Sequence, residues 1–222
     1  MSDSPSQRPL EQGVEMVVPP VGAGATLTIP AGARGIVLFA HGSGSSRLSP
    51  RNRFVASGLH SAGFGTLLFD LLTRIEEEHR ANIFDIELLA HRLVMATQWL
   101  AERPECRPLP MVYFGASTGA AAALVASTLT PHPIGAIVSR GGRPDLAGPA
   151  LSLVTAPTLL IVGGNDPQVL ALNQDAAGRL RCPHELAVIP GATHLFEEPG
   201  TLEAVVVLAG AWFAKHLASP SA

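Results

Sequence analysis

The sequence predicts an α/β protein: a mainly parallel sheet of about seven strands, with helices on both faces and no large cap. Two observations carry that expectation. Short apolar runs alternate with longer amphipathic stretches along nearly the whole chain. The short runs, such as IVLFA and TLLIV, are continuously apolar instead of alternating, as strands are when both sheet faces are covered.

The elements follow in order. Ala25 to Ile29 and Gly35 to Ala40 read as strands, separated by the turn residues Pro30 and Gly32. Phe54 to Ala62 reads as a helix after Pro50, and Gly65 to Asp70 as a strand. Ile83 to Arg103 is a long amphipathic helix with Ile86, Leu89, Leu93, Ala96 and Leu100 on one stripe, and Pro104 stops it. Met111 to Phe114 is a strand, Thr118 to Leu129 an Ala-rich helix, and Gly135 to Ser139 a strand. Thr158 to Val162 is a strand after Pro157, Val169 to Leu180 a helix, Glu185 to Ile189 a strand, and Leu202 to Leu217 the last helix. Residues 1–13 and 218–222 read as loose termini, and with no linker or repeat between them 1–222 reads as one domain.

Composition narrows the function classes. Hydrophobic residues make up 47% and charged residues 15% of 222, which suits a compact core and excludes a disordered chain. The net charge of −3 and the scattered basic residues argue against a nucleic-acid partner. Cys106 and Cys182 lie far apart in no metal-ligand spacing, so no zinc site is expected; they are either one disulfide or, more plainly, two reduced thiols. Met1 to Leu10 lacks the apolar core of a signal peptide, and no apolar run reaches the roughly 20 residues of a membrane span. A cytoplasmic protein with no membrane partner is the expectation, with a homodimer left open.

In open α/β sheets ligands bind at the carboxyl ends of the strands. There the strongest signal is Gly115-Ala116-Ser117-Thr118-Gly119, a G-x-S-x-G pattern between the strand MVYF and an Ala-rich helix. That strand–turn–helix context strains the backbone at the serine and pushes its hydroxyl above the sheet. A serine hydroxyl needs a base, and the order nucleophile, acid, histidine is met by Ser117, Asp166 after TLLIVGGN, and His194 in the loop after the next strand. His194 then takes the Ser117 proton and Asp166 fixes the imidazole tautomer. Asp166 also reads as a plain helix cap, and Asp145 or Glu197 are rival carboxylates. The oxyanion donors are expected from the amide of Thr118 and from the loop after GIVLFA, at Ser43, with His41 holding that loop by hydrogen bonding.

Other features are weaker. His41-Gly42-Ser43-Gly44 lacks the third glycine of a dinucleotide fingerprint, and Asp70 lacks the glycine-rich turn of a ribose ligand. Glu76-Glu77-Glu78 reads as a solvated loop. Arg140 and Arg143 sit just past a strand end, where either would suit an anionic substrate group; in the plainer reading one pairs with Asp145 and the other faces solvent.

The segments YFGASTGAAAAL, HGSGSSRLSPRN, SRGGRPDLAG and GATHLFEEPGTLE resemble the dienelactone hydrolase-like branch of the α/β-hydrolases, and within it members associated with phosphoribosyltransferase domains. The resemblance runs from Ala25 to Leu217. It implies the α/β-hydrolase fold, esterase or lactonase activity on a small-molecule substrate, and no metal or organic cofactor. Dienelactone hydrolases carry cysteine at the elbow where this chain has Ser117, which favours general ester hydrolysis over the dienelactone itself. No phosphoribosyltransferase segment is present in the 222 residues. The short connection after Ser139 suggests an open, shallow site for small acyl groups. Thioester or peptide hydrolysis by the same three residues, or a non-catalytic binding role on this fold, are the alternatives.

Overall fold

A computed structural model describes residues 10–217. Residues 1–9 and 218–222, most of the expected loose termini, lie outside it. The strands are β1 (Leu10–Val18), β2 (Ala23–Ile29), β3 (Ile36–Ala40), β4 (Gly65–Phe69), β5 (Met111–Ala116), β6 (Ile134–Arg140), β7 (Thr158–Gly163) and β8 (His184–Ile189). They form one sheet in the order β1-β2-β4-β3-β5-β6-β7-β8. β1 and β2 are antiparallel to each other, β2 is antiparallel to β4, and every pair from β4 to β8 is parallel. The sheet therefore has eight strands, not seven. Leu10–Val18, whose first residues read as a loose end, is its edge strand.

The helices are α1 (Pro50–Ser61), α2 (Arg74–Glu77), α3 (Arg80–Ile83), α4 (Ile86–Glu102), α5 (Thr118–Leu129), α6 (Pro167–Arg179) and α7 (Thr201–Leu217), with 3₁₀ turns over Pro144–Leu153. Three local signals move the boundaries from the expected ones. Ser49 caps α1 with Pro50 at its start, so that helix begins a turn before Phe54. Asp85 caps α4 by accepting from the Leu88 amide, which splits Ile83 from the long helix. Thr73 and Glu76 form a capping box, and Glu76 also pairs with Arg92; this end of the acidic run is anchored, not solvated.

The strand IVLFA shows why continuous apolar runs were needed. Ile36, Leu38 and Ala40 join one buried cluster with Leu93 and Leu100 of α4 and Ala122 of α5. Val37 and Phe39 join the other, with Leu59 of α1 and Val205 and Phe213 of α7. Successive side chains point to opposite faces, and both faces are roofed by helices. Tyr113 lies wholly buried on the α4 side, where its hydroxyl is satisfied by Thr97 Oγ1 at 2.7 Å.

The chain leaves β3 for β4 on one side and later places β5 on the other. The loops after β3 and β5 thus diverge at the centre of the sheet, which opens a crevice above their carboxyl ends. Among the described residues no cap domain stands over that crevice; β6 reaches β7 through the 3₁₀ turns alone. Among the described residues no helix is long and apolar enough to cross a membrane.

Candidate active site

Ser117 joins β5 to α5 with φ 51° and ψ −122°, a conformation L-residues rarely adopt. Close packing enforces the turn. A side-chain carbon on Gly119 would lie 2.1 Å from the Ala40 carbonyl oxygen, so only glycine lets α5 start this near β3. The strained turn is held from the next strand: the Ser117 amide donates to the Arg140 carbonyl at 3.3 Å, and the Arg143 amide donates to the Ser117 carbonyl at 3.0 Å. Ser117 remains half-buried, and among the described residues its hydroxyl has no hydrogen-bond partner.

His194 and Asp166 meet. His194 Nδ1 donates to Asp166 Oδ2 at 2.7 Å, while Asp166 Oδ1 accepts from the Val169 amide at 3.4 Å. One carboxylate therefore both orients the imidazole and caps α6. The rivals are engaged elsewhere: Asp145 takes the Arg143 fork at 2.8 and 2.7 Å, and Glu197 pairs with Arg51 at 3.1 Å. Because a carboxylate only accepts, Nδ1 carries a proton in this bond, and Nε2 has no partner among the described residues. The imidazole packs against the turn that follows Arg140: a carbon added to Gly141 would lie 3.7 Å from His194 Cε1.

The loop after β3 crosses in front of Ser117. A carbon on Gly42 would meet Ser117 Cβ at 2.9 Å. His41 is buried, accepts from the Leu71 amide through Nε2 at 3.0 Å and donates from Nδ1 to the Gly42 carbonyl at 3.0 Å. Burial pushes its pKa below the ordinary imidazole value, which keeps it in the neutral form those two bonds require. The expected oxyanion donors differ from each other. The Thr118 amide, at the first turn of α5, has no acceptor among the described residues. The Ser43 amide is instead given to Thr118 Oγ1 at 3.0 Å.

Arg140 and Arg143 part company. Arg143 gives its Nε–Nη2 edge to Asp145, the pairing the plainer reading expects. Arg140 does not face solvent, as the plainer reading had it: it is 8% exposed, and its Nη1 is buried without a partner. Its side chain lies on the α1 face, over Phe114 and near Arg51. Burial first, and the Arg51 charge second, lower its pKa to about 10, so it stays cationic at neutral pH.

A pocket adjoins the loop after β3, with neither Ser117 nor His194 in its lining. This cavity of about 660 Å³ extends from Gly42 and Ser43 past Arg51 to Leu72, Ile83 and Leu89, because the short helices α2 and α3 raise a wall on that side. Two supports were not read as such. Asp70 accepts from the Arg47 amide at 2.8 Å and so anchors the loop after β3. Asn173 donates to the Gly142 carbonyl at 3.0 Å and steadies the turn behind the elbow. Asp70 was visible as a polar strand end; Asn173 lies within a helix and left no signal.

This fold, with a strained serine turn after the central strand and a histidine–aspartate pair at later strand ends, defines an α/β-hydrolase. No family model matches the chain. Among solved structures it resembles a dienelactone hydrolase from Anabaena variabilis, 56% identical over 95% of this chain and 99% of that one, with a TM-score of 0.89. The chain belongs to that dienelactone hydrolase family. Est1E from Butyrivibrio proteoclasticus shares the fold at 14% identity, 93% and 99% coverage and a TM-score of 0.77. Two Mycobacterium tuberculosis proteins, provisionally named phosphoribosyl transferases, are 59% identical over 219 residues. Those residues are 98% of this chain and 49% of the relatives, so the chain spans about half their length.

Proposed function

We propose that the chain is a serine hydrolase of small carboxylic esters or lactones, working through an acyl-enzyme. The observation that carries this reading is the His194–Asp166 hydrogen bond at 2.7 Å, taken together with the strained, half-buried turn at Ser117. Rotation of the Ser117 side chain, a fast motion for an unbonded hydroxyl, turns Oγ toward His194 Nε2. Such contacts close on substrate binding. As the Oγ–carbon bond forms, the proton passes to Nε2 and the carbonyl electrons move to oxygen. When the tetrahedral species collapses, the carbon–oxygen bond to the leaving group breaks and that group takes the proton from His194. Water repeats the sequence and frees Ser117.

Arg140 supports a narrower substrate class. A buried guanidinium without a carboxylate partner is costly to the fold, and such cost is tolerated where function uses it. An acidic group on the substrate, held between Arg140 and Arg51 on the α1 side of Ser117, offsets it. The phosphoribosyl transferase name of the longer relatives belongs to their full length and is not extended to this chain.

The test is Ser117→Ala. The parent protein should hydrolyse a short 4-nitrophenyl ester and react with a fluorophosphonate at Ser117, and the variant should do neither. Retained turnover in the variant removes Ser117 from the mechanism; a folded parent protein that neither turns over esters or lactones nor takes the label is a binder.

A further inference from the structure

We propose that the side-chain hydroxyl of Thr118 is an oxyanion donor in its own right, fixing the Ser43 amide with a lone pair while offering its own proton to the developing charge. The proposal rests on the serine-hydrolase reading above.

Thr118 directly follows Ser117 and opens α5, and it is 4% exposed. Its Oγ1 accepts from the Ser43 amide, so the hydroxyl stands between the two backbone donors that the elbow and the facing loop supply. The hydroxyl proton is the distinctive part. Elsewhere in these helices Thr97, Ser127 and Thr128 donate back to the carbonyls of Leu93, Leu124 and Val125. At the first position of a helix no such carbonyl exists one turn earlier. Among the described residues no acceptor takes the Thr118 proton.

A buried donor left unmatched beside the nucleophile is costly unless a partner arrives. The Ser43 bond also holds the oxygen in place, so only the O–H rotor must turn when charge appears, and reorganisation is small. As Ser117 Oγ adds to the substrate carbon, the carbonyl electron pair moves onto oxygen, and the Thr118 O–H and N–H both point to it. No proton leaves Thr118. On collapse the pair returns to the carbonyl and the leaving group departs. The opposite role is equally concrete: if the hydroxyl merely occupied the Ser43 amide, its removal would free a donor and speed the reaction.

The experiment compares Thr118→Val and Thr118→Ser in the full chain. It reads kcat and KM for 4-nitrophenyl acetate, and inhibition by a trifluoromethyl ketone whose hemiketal oxygen carries the same charge. The valine variant should lose about tenfold or more in kcat, with KM held within about threefold. Its affinity for the ketone should fall in step, and serine should restore both. An unchanged or faster valine variant, or a serine variant that fails to recover, overturns the proposal. Should valine unfold the chain by thermal melting, Thr118→Ala, which only removes atoms, makes the same comparison. A parent protein without Ser117-dependent turnover sinks the hydrolase reading and this inference with it. An active parent beside an indifferent valine variant sinks this inference alone.

Discussion

Replacing Asp166 with asparagine separates the two duties of that carboxylate. Its Oδ2 accepts from His194 Nδ1 at 2.7 Å in a largely buried setting, and its Oδ1 accepts from the Val169 amide at 3.4 Å. Asparagine keeps the cap, since its amide oxygen accepts as well and asparagine ranks beside aspartate at that position. Stability should therefore change by less than about 0.5 kcal/mol, a melting shift of about 2 °C at most for a chain of this size. Toward the histidine, asparagine presents an amide donor. Nδ1 must then accept, the ring proton moves to Nε2, and the base is blocked. The same change in a triad of this kind lowers kcat by about 10⁴, or about 5.5 kcal/mol in the barrier. Alanine at the same site removes the cap too and should cost about 1 kcal/mol, or about 2–4 °C. Initial rates with 4-nitrophenyl acetate, normalised to fluorophosphonate titration, give the first quantity, and scanning calorimetry gives the second. An asparagine variant within tenfold of the parent rate refutes the assignment of Asp166 as the orienting acid.

Two further outcomes are expected. Arg140→Met should raise the melting temperature by a few degrees, because it removes an unpaired buried charge of similar volume, worth about 1–2 kcal/mol. It should also lower the kcat/KM ratio of a 4-nitrophenyl hemisuccinate to the neutral acetate by about tenfold; an unchanged ratio discards the acidic-substrate reading. His41 and His60 both have pKa values lowered by burial, so the unfolded chain binds their protons first. Their stability contribution is full above about pH 6.5 and is lost as pH falls through the lowered values. Urea unfolding between pH 7.5 and 5.5 should show decreasing stability, and an increase on acidification contradicts the neutral, bonded state of His41.

Seven of the eight strands were legible from their apolar residues, wholly buried in β3, β4, β5 and β7, where both faces are covered, and still apolar over 186–189 of the largely exposed edge strand β8. β1 was not, because its apolar residues are interrupted and little buried: from Gln12 to Val17 only Met16 is even half-buried, and charged Glu15 sits mid-strand. The His194–Asp166 meeting was legible because strand order and strand ends fix where both side chains must lie. The start of α1 could have been read from Ser49 followed by Pro50, a capping signature that the apolar pattern from Phe54 obscured. The bond from Ser43 to Thr118 could not, since it joins a backbone amide to a side chain 75 residues away and depends on one rotamer. Arg140 was located correctly at a strand end, but its direction depends on register: it shares the face of Ala136 and Val138, and so turns inward beneath α1.

The outermost strand has a reach that its exposure conceals. Glu15 of β1 grips the Arg47 guanidinium at 2.9 Å, and the main chain of Arg47 is pinned by Asp70 in the loop that crosses in front of Ser117. A ribbon separated by three strands from β5, which carries Ser117, thus acts as a guy-rope on the loop in front of that serine. Trimming that ribbon, or burdening it with a bulky fusion, would slacken the reaction centre long before it threatened the fold.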